Sequence, residues 1–516
     1  MTTSAGDGRL GTPAFVRRPE FTIILGALQA LAFPPFPFGF LAPCALAGLL
    51  LNIDGLGPKA AASRGWVFGF VFHLGTLYWT GWVSIPGMIV MAIVLGLYIA
   101  IVLGILAASR PILKGMAVWL FPIVWVAHEY GRGLGDLAFP WTNLSLSQVS
   151  YLPLIQFADT TGDLGVSFWV ALVGVLLFRL YSGWSHRGTV PRLIGMAALV
   201  AAVTLPLFYG FRAMDGLKPG DRIRVAVLQG DIDSYHKWDS AYVDQSFAVY
   251  EAQTRAAAAH GAELIVWPET AAPVYLRAEV PDYRRVRALA ADIGVPILLG
   301  TLEYKTLDHG GYLSYNAAVA VDRKGYYPAF HAKLHLVPLG EWIPFSDKIK
   351  ILDELEVGGA HFTAGDKYVL FDHPRGPYAA AICYESVFPD IMRNFAIRGA
   401  RFYVNITNDG WYGFSSGPTQ HALIAVYRAI ETRRPIARSA NTGISTVIDR
   451  TGRLIAPTRQ YVPEVLVADM ELGPKGEITP FMRHGMLLGQ ACAVISGLAL
   501  VGVLVYNIRR KLAPTT

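Results

Sequence analysis

The sequence predicts a multi-pass α-helical membrane bundle, of about eight transmembrane helices, joined to an extramembrane α/β domain. Three observations predict it. Of 516 residues, 53% are apolar and only 16% are charged, where soluble proteins carry roughly 25% charged residues. The apolar runs gather toward the two ends of the chain, whereas the middle, from about Asp221 to Gly476, has mixed polarity and many Pro and Gly. Within that middle, short β-rich runs alternate with helix-length segments, the pattern of a layered α/β fold. Together these exclude both disorder and a single large soluble domain.

A span needs about 20 mainly apolar residues, and such runs lie near 20–33, 38–56, 65–83, 87–108, 114–130, 164–182, 192–211 and 485–507. The three prolines of Phe33-Pro34-Pro35-Phe36-Pro37-Phe38 break any helix between the first two and predict a tight interfacial hairpin. The division that follows is a membrane domain over 1–212 with seven helices, an extramembrane domain over 213–484, and a last helix with its tail over 485–516.

Basic residues of short loops stay on the cytoplasmic side. Here they fill every second loop: Arg9, Arg17 and Arg18, then Lys59 and Arg64, Arg110 and Lys114, Arg187 and Arg192, and last Arg509, Arg510 and Lys511. Both termini are therefore expected in the cytoplasm and the insert on the outer face. No small-residue cleavage site follows the first run, which reads as an uncleaved anchor. The formal net charge of +6 then follows from topology and calls for no nucleic acid partner. A transporter would carry ionisable groups inside its spans. His73, His128 and Glu129 sit near span ends instead, so the bundle reads as an anchor and lipid-access platform.

In the middle, strands are predicted at 223–229, 263–267, 296–301, 316–322, 378–383, 402–407 and 444–449, with helices near 239–260, 282–293, 386–398 and 418–432. About 250 residues suffice for one sizeable core. The cysteines Cys44, Cys383 and Cys492 lie far apart with no CxxC spacing, so they form neither a disulfide framework nor a zinc site. No metal, nucleotide or other cofactor motif is found. Cys44 and Cys492 fall inside spans as small apolar packing groups, and the sequons at Asn143 and Asn405 read as chance matches.

Three strand-end residues carry the chemical argument. Val266-Trp267-Pro268-Glu269 puts a carboxylate just past a buried strand, His331-Ala332-Lys333-Leu334-His335 puts an ammonium in a loop, and Ala380-Ala381-Ile382-Cys383-Tyr384-Glu385 puts a thiol at the end of another strand. A carboxylate can take the thiol proton, and a lysine charge favours first the thiolate and then an oxyanion. Taken singly, each has a structural reading: Cys383 as a buried small hydrophobe, Glu269 as a helix N-terminal acid, Lys333 as a solvated loop residue.

With these motifs in this order the chain resembles the nitrilase, or carbon–nitrogen hydrolase, superfamily. Spans before the domain and one after it make it similar to that superfamily's membrane-embedded apolipoprotein N-acyltransferase family. Further matching elements are Leu228-Gln229-Gly230-Asp231 followed by Lys237-Trp238, Tyr315-Asn316, the run from Leu336 to Pro344, and Asn408-Asp409-Gly410-Trp411-Tyr412-Gly413.

The resemblance implies an α-β-β-α sandwich on the periplasmic side of the bacterial inner membrane, and a Glu269–Lys333–Cys383 triad. It also implies an acyl chain moving from a phospholipid sn-1 ester, through a Cys383 thioester, to the α-amine of a diacylated apolipoprotein. Glu341 and Glu385 resemble supporting residues, Asn316 a position near the site, and Tyr384, Trp238 and Trp411 aromatics that line acyl surfaces. Each of these also reads as structural, and His331, His335 and His421 are expected to be structural or surface residues. Loops 340–365 and 409–417 are candidate lids. The protein is expected to act as a monomer on the bilayer. Two other readings stay open: a membrane-tethered amidase acting on a small amide, and a transporter with a degenerate enzyme domain.

Overall fold

The computed structural model describes residues 13–183, 188–234, 236–325, 329–343 and 362–512. Arg9, Arg187, Pro344 and most of the 340–365 lid candidate lie outside the described residues. The chain divides into two compact units, one of residues 1–133, 140–216 and 486–516, the other of 134–139 and 217–485.

The first unit is helical: α1 (Phe21–Leu31), α2 (Leu41–Asn52), α3 (Pro58–Thr76), α4 (Ile85–Leu113), α5 (Phe121–Arg132), α6 (Asp163–Gly183), α7 (Thr189–Asp215), and, for the last, the C-terminal helix Leu487–Leu512. Among the described residues four segments are long and apolar enough to cross a bilayer, 85–132, 163–183, 189–215 and 487–512, rather than the expected eight. One of the four missing spans is lost to polarity, since the expected run 65–83 falls largely in the second part of α3, whose first turns carry Lys59 and Arg64, and the other three are lost to geometry. At about 1.5 Å per residue, the 11 residues of α1 and 12 of α2 fall well short of a hydrocarbon core of about 30 Å. The apolar turn between them had extended both runs. The expected runs 87–108 and 114–130 are joined by a 3₁₀ turn at Lys114–Leu120 into one continuous helical segment.

Helices α3 and α4 pack backbone to backbone. A Cβ on Gly69 would come within 2.9 Å of the Gly96 Cα, and one on Gly65 within 2.7 Å of the Ile99 carbonyl oxygen. Small residues permit this approach, which drives helix association in lipid. Ionisable groups pin the irregular stretch that follows α5. Glu129 accepts from Trp125 Nε1 at 2.9 Å and from the Leu144 N–H at 2.8 Å, and Arg132 donates to Thr142 at 2.6 Å and Asn143 at 2.8 Å. Non-helical backbone at membrane depth needs such partners.

The second unit holds two sheets. In chain order its strands are β1 (Arg222–Gln229), β2 (Leu264–Val266), β3 (Ala272–Tyr275), β4 (Ile297–Thr306), β5 (Tyr312–Val321), β6 (Phe330–Ala332), β7 (Leu370–Phe371), β8 (Tyr378–Ile382), β9 (Phe402–Thr407), β10 (Ile436–Ala440), β11 (Thr446–Ile448), β12 (Leu454–Ile455) and β13 (Glu464–Glu471). One sheet runs β13-β1-β2-β4-β5-β6, with β3 beside β4, and the other β12-β11-β10-β9-β8-β7. The two meet where Ser439 Oγ donates to the Leu228 carbonyl at 2.7 Å.

Helices α8 (Ser240–Ala259) and α9 (Val280–Ile293) cover the first sheet, burying Phe247, Tyr250 and Leu289 against Ile265, Trp267 and Leu299. Helices α10 (Pro389–Ile397) and α11 (Gly417–Thr432) pack on the second, where Tyr403 donates to the Met392 carbonyl at 2.9 Å. The layers are thus helix, sheet, sheet, helix. Strand β10 is absent from the sequence reading because Arg433, Arg434 and Arg438 make its surroundings look solvated. Arg438 is nevertheless fully buried, since carboxylate and amide partners satisfy it.

Candidate functional site

Glu269 follows β2, where the buried Trp267 anchors the strand end by donating from Nε1 to Thr254 at 2.8 Å. Its carboxylate is only 6% exposed. Oε1 accepts from Asn316 Nδ2 at 2.8 Å and faces Lys333 Nζ at 3.3 Å, and Oε2 accepts from the Asn408 N–H at 2.8 Å. Gly300 on β4 makes this seat possible. A Cβ there would lie 2.6 Å from the Glu269 Cα and 2.5 Å from the Thr270 nitrogen, closer than such contacts allow.

Lys333 leaves β6 and is fixed by its own N–H, which donates to the Asn316 carbonyl at 2.9 Å. Its ammonium is buried and contacts Glu341 Oε1 at 2.9 Å as well as Glu269. Burial alone would lower the Lys333 pKa, but the charges of Glu269 and Glu341 outweigh it and hold the side chain protonated. Asn316 Nδ2 bridges the two carboxylates, at 2.8 Å from Glu269 and 2.9 Å from Glu341. Glu341 is held in turn by the Val337 N–H at 2.9 Å.

Cys383 opens the turn immediately after β8 with φ of 49°, the left-handed region, which a non-glycine residue occupies at a cost of about 1–3 kcal/mol. Burial and the Glu269 charge push the thiol pKa well up, with Lys333 acting the other way. The resting sulfur is therefore a thiol, and it needs a base at the moment of attack. Glu385 ties this turn to the lysine loop: it accepts from the Ile382 N–H and the Leu334 N–H, each at 2.6 Å, and stands 3.3 Å from His331 Nε2. Tyr384 is buried, donates to the Ala138 carbonyl at 3.0 Å and stacks on Phe139 at 6.4 Å.

The fold thus brings Glu269, Lys333, Asn316 and Glu341 into one hydrogen-bonded cluster, with Cys383 near enough for both charges to act on its thiol. Trp238 and Trp411 are instead surface aromatics in short helical turns, 43% and 36% exposed. His331 and His421, expected to be structural or on the surface, are both fully buried. Among the described residues no group of three His, Cys, Asp or Glu is placed to hold a metal ion.

Behind Cys383 lies a polar network that no sequence reading assigned. Asp409 accepts from Arg438 Nη2 at 2.7 Å and faces His421 Nδ1 at 2.8 Å. Burial opposes ionisation of Asp409, yet Arg438 and His421 hold its carboxyl down at about 2. A carboxyl with a depressed folded pKa stabilises the fold above its unfolded value, near 4, and that contribution fades as pH falls toward 2. Asp409→Asn is therefore expected to lower stability by roughly 2 kcal/mol at neutral pH. In thermal unfolding measured against pH, its gap from the wild type should close below about pH 4.

The carbon–nitrogen hydrolase family profile matches residues 224–477, and that of the apolipoprotein N-acyltransferase N-terminal domain matches residues 25–176. The apolipoprotein N-acyltransferase of Geobacter metallireducens is 34% identical over 98% of this chain and 98% of its own. That of Chlorobaculum tepidum is 32% identical over 94% and 96%, and that of Methylococcus capsulatus 32% identical over 89% and 91%.

Proposed function

From the premise that this chain belongs to the apolipoprotein N-acyltransferase family, we propose that it moves a fatty acyl chain from the sn-1 ester of a phospholipid to a diacylated apolipoprotein. The acceptor is the α-amine of the N-terminal diacylglyceryl-cysteine. One observation carries the assignment of chemistry: a thiol in a left-handed turn, Cys383, beside the buried Glu269–Lys333 pair. Glu269 takes the Cys383 proton as sulfur attacks the ester carbonyl, and Lys333 with backbone N–H groups near Tyr384 holds the oxyanion. An ammonium has three N–H bonds; Glu269 and Glu341 engage two, which leaves a third for the oxyanion.

The ester C–O bond then breaks, Glu269 returns the proton to the departing alkoxide, and lysophospholipid leaves behind a Cys383 thioester. In the second half the amine attacks the thioester carbon, Glu269 accepts the amine proton, the C–S bond breaks and the thiol is restored. Glu341 and Glu385 position Lys333 and the Cys383 turn. Tyr384, Trp238 and Trp411 offer apolar area with a polar edge to the acyl chains.

The helical unit supplies the setting. Its helix α7 leaves Leu193, Ile194, Leu205, Phe208 and Phe211 exposed, faces suited to lipid. Drawing an acyl chain into water would cost about 0.8 kcal/mol per CH₂, and a thioester kept from water is not wasted by hydrolysis. We assign residues 1–212 and 485–516 to the inner membrane with both termini cytoplasmic, and 213–484 to the periplasmic side; the alternating loop charges support this orientation. The enzyme then works as a monomer, its substrates reached from the outer leaflet.

The test is to place the purified protein in phospholipid vesicles with a diacylated lipopeptide or with a small primary amide. The expected result is a lipopeptide heavier by one acyl chain and no ammonia from the amide. Hydrolysis of the amide without acylated lipopeptide would replace this reading with that of a tethered amidase.

A further inference from the structure

The proposed chemistry uses Cys383 through its sulfur, but its carbonyl is held as tightly. Ser386 Oγ donates to the Cys383 oxygen at 3.0 Å, and His421 Nε2 lies 3.2 Å from the same atom. The other ring nitrogen faces Asp409 Oδ1 at 2.8 Å, with Arg438 Nη2 at 3.2 Å. A carbonyl and an ionised carboxylate both only accept, so the two contacts together need a hydrogen on each ring nitrogen; burial and the Arg438 charge oppose that protonation, and the Asp409 carboxylate favours it. Asp409 also accepts from Thr407 at 3.0 Å, so the aspartate that braces the ring is itself fixed by β9 and β10. Ser386, His421, Asp409 and Arg438 are all fully buried.

Ser386, His421 and Asp409 follow one another like a hydrolase triad, Ser386 Oγ standing 3.3 Å from His421 Nε2. They do not form a second nucleophile, because none of the three is reachable from solvent and the Ser386 hydroxyl already donates to the Cys383 carbonyl. Everything in the array converges on one peptide oxygen, that of the residue in the left-handed turn.

We infer that His421 is a positioning residue for Cys383: braced by Asp409, it grips the Cys383 carbonyl and so keeps the nucleophile's backbone in the turn that aims its sulfur. The inference rests on the acyl-transfer reading for its kinetic arm only. Without the grip the peptide rotates out of its strained conformation, the sulfur leaves the Glu269–Lys333 pair, and catalysis suffers at the chemical step rather than in substrate binding.

The experiment uses the full-length protein with His421→Leu, His421→Gln and Ser386→Ala. Transfer kinetics are measured beside the rate at which iodoacetamide alkylates Cys383, located by peptide mapping. His421→Leu should lower kcat about 100-fold with KM nearly unchanged, and slow alkylation about tenfold. His421→Gln places an amide N–H where Nε2 was and should recover both to within about fivefold of wild type. A folded Leu variant that reacts at the wild-type rate, or a Gln variant no better than Leu, overturns the inference. Should Leu fail to fold, Ser386→Ala decides: a several-fold fall in both rates supports the grip, and unchanged rates overturn it. If the wild type transfers no acyl group but the alkylation pattern holds, the acyl-transfer reading fails and the positioning role stands.

Discussion

Glu269→Gln is expected to lower acyl transfer by about 10³-fold or more while leaving the protein folded and membrane-bound. The carboxylate acts in both halves of the proposed cycle, taking first the thiol proton and then the amine proton, and general-base catalysis contributes about 10²–10⁴-fold. The loss should be steep because Cys383 rests as a thiol, its pKa pushed up by burial and by Glu269 itself. Glutamine keeps the volume but cannot accept the proton. It also cannot reproduce the contacts, since Oε1 and Oε2 both accept in the native site, from Asn316 and from the Asn408 N–H. One of these donors then faces an NH₂ group. Single-turnover assays that follow lysophospholipid release and lipopeptide acylation separately should find both steps slowed. Loss confined to the second step would deny Glu269 its role in forming the thioester.

Lys333→Met should be damaging in two distinguishable ways. Removing an oxyanion donor commonly lowers kcat about 10²–10³-fold, and the substitution also leaves the buried Glu269 and the half-buried Glu341 around one Asn316 amide with no cation between them. Breaking a buried ion pair from one side costs about 3–5 kcal/mol. The sign with pH is specific. In the wild type the folded Lys333 pKa is raised, so its contribution is fully present below about 10.4, the unfolded value, and is constant from pH 5 to 9. In the variant, two carboxylates sharing a site raise the pKa of one of them. That penalty is complete above the raised value and vanishes as pH falls toward about 4.3, the unfolded glutamate value. Thermal unfolding of the two proteins should therefore converge at acid pH and diverge at neutral pH. A constant gap would mean that the lysine packs but does not neutralise.

How much of this was legible follows from what each residue has as neighbours in sequence. Glu269, Lys333 and Cys383 each stand at or just past the end of a short, mainly apolar strand, so local pattern alone placed them at strand ends. The long apolar helices α4, α6 and α7 were legible for the same reason. Helices α1 and α2 were over-extended because Phe33, Phe36, Phe38 and Phe40 in the turn between them are as apolar as the helices. The Asp409–His421–Arg438 network escaped because its members come from three elements, and a buried arginine looks like a solvated one until its carboxylate is found. Asn408-Asp409-Gly410 offered a signal as a motif, but nothing in the sequence joins it to His421 twelve residues on or to Arg438 on a neighbouring strand. Nor does local pattern show that segment 134–139, which precedes α6 in the chain, belongs with the catalytic unit, where Ala138 receives the Tyr384 hydroxyl.

In the proposed cycle Cys383 carries the acyl group between two lipid substrates. Intact-mass spectrometry of the purified wild type and Cys383→Ala tests it, first with phospholipid alone and then after adding diacylated lipopeptide. The expected result is a gain of one acyl mass on the wild type, absent from the variant, that disappears as the lipopeptide gains the same mass. An unmodified wild type that nevertheless acylates the lipopeptide would contradict it, because transfer would then proceed without a thioester.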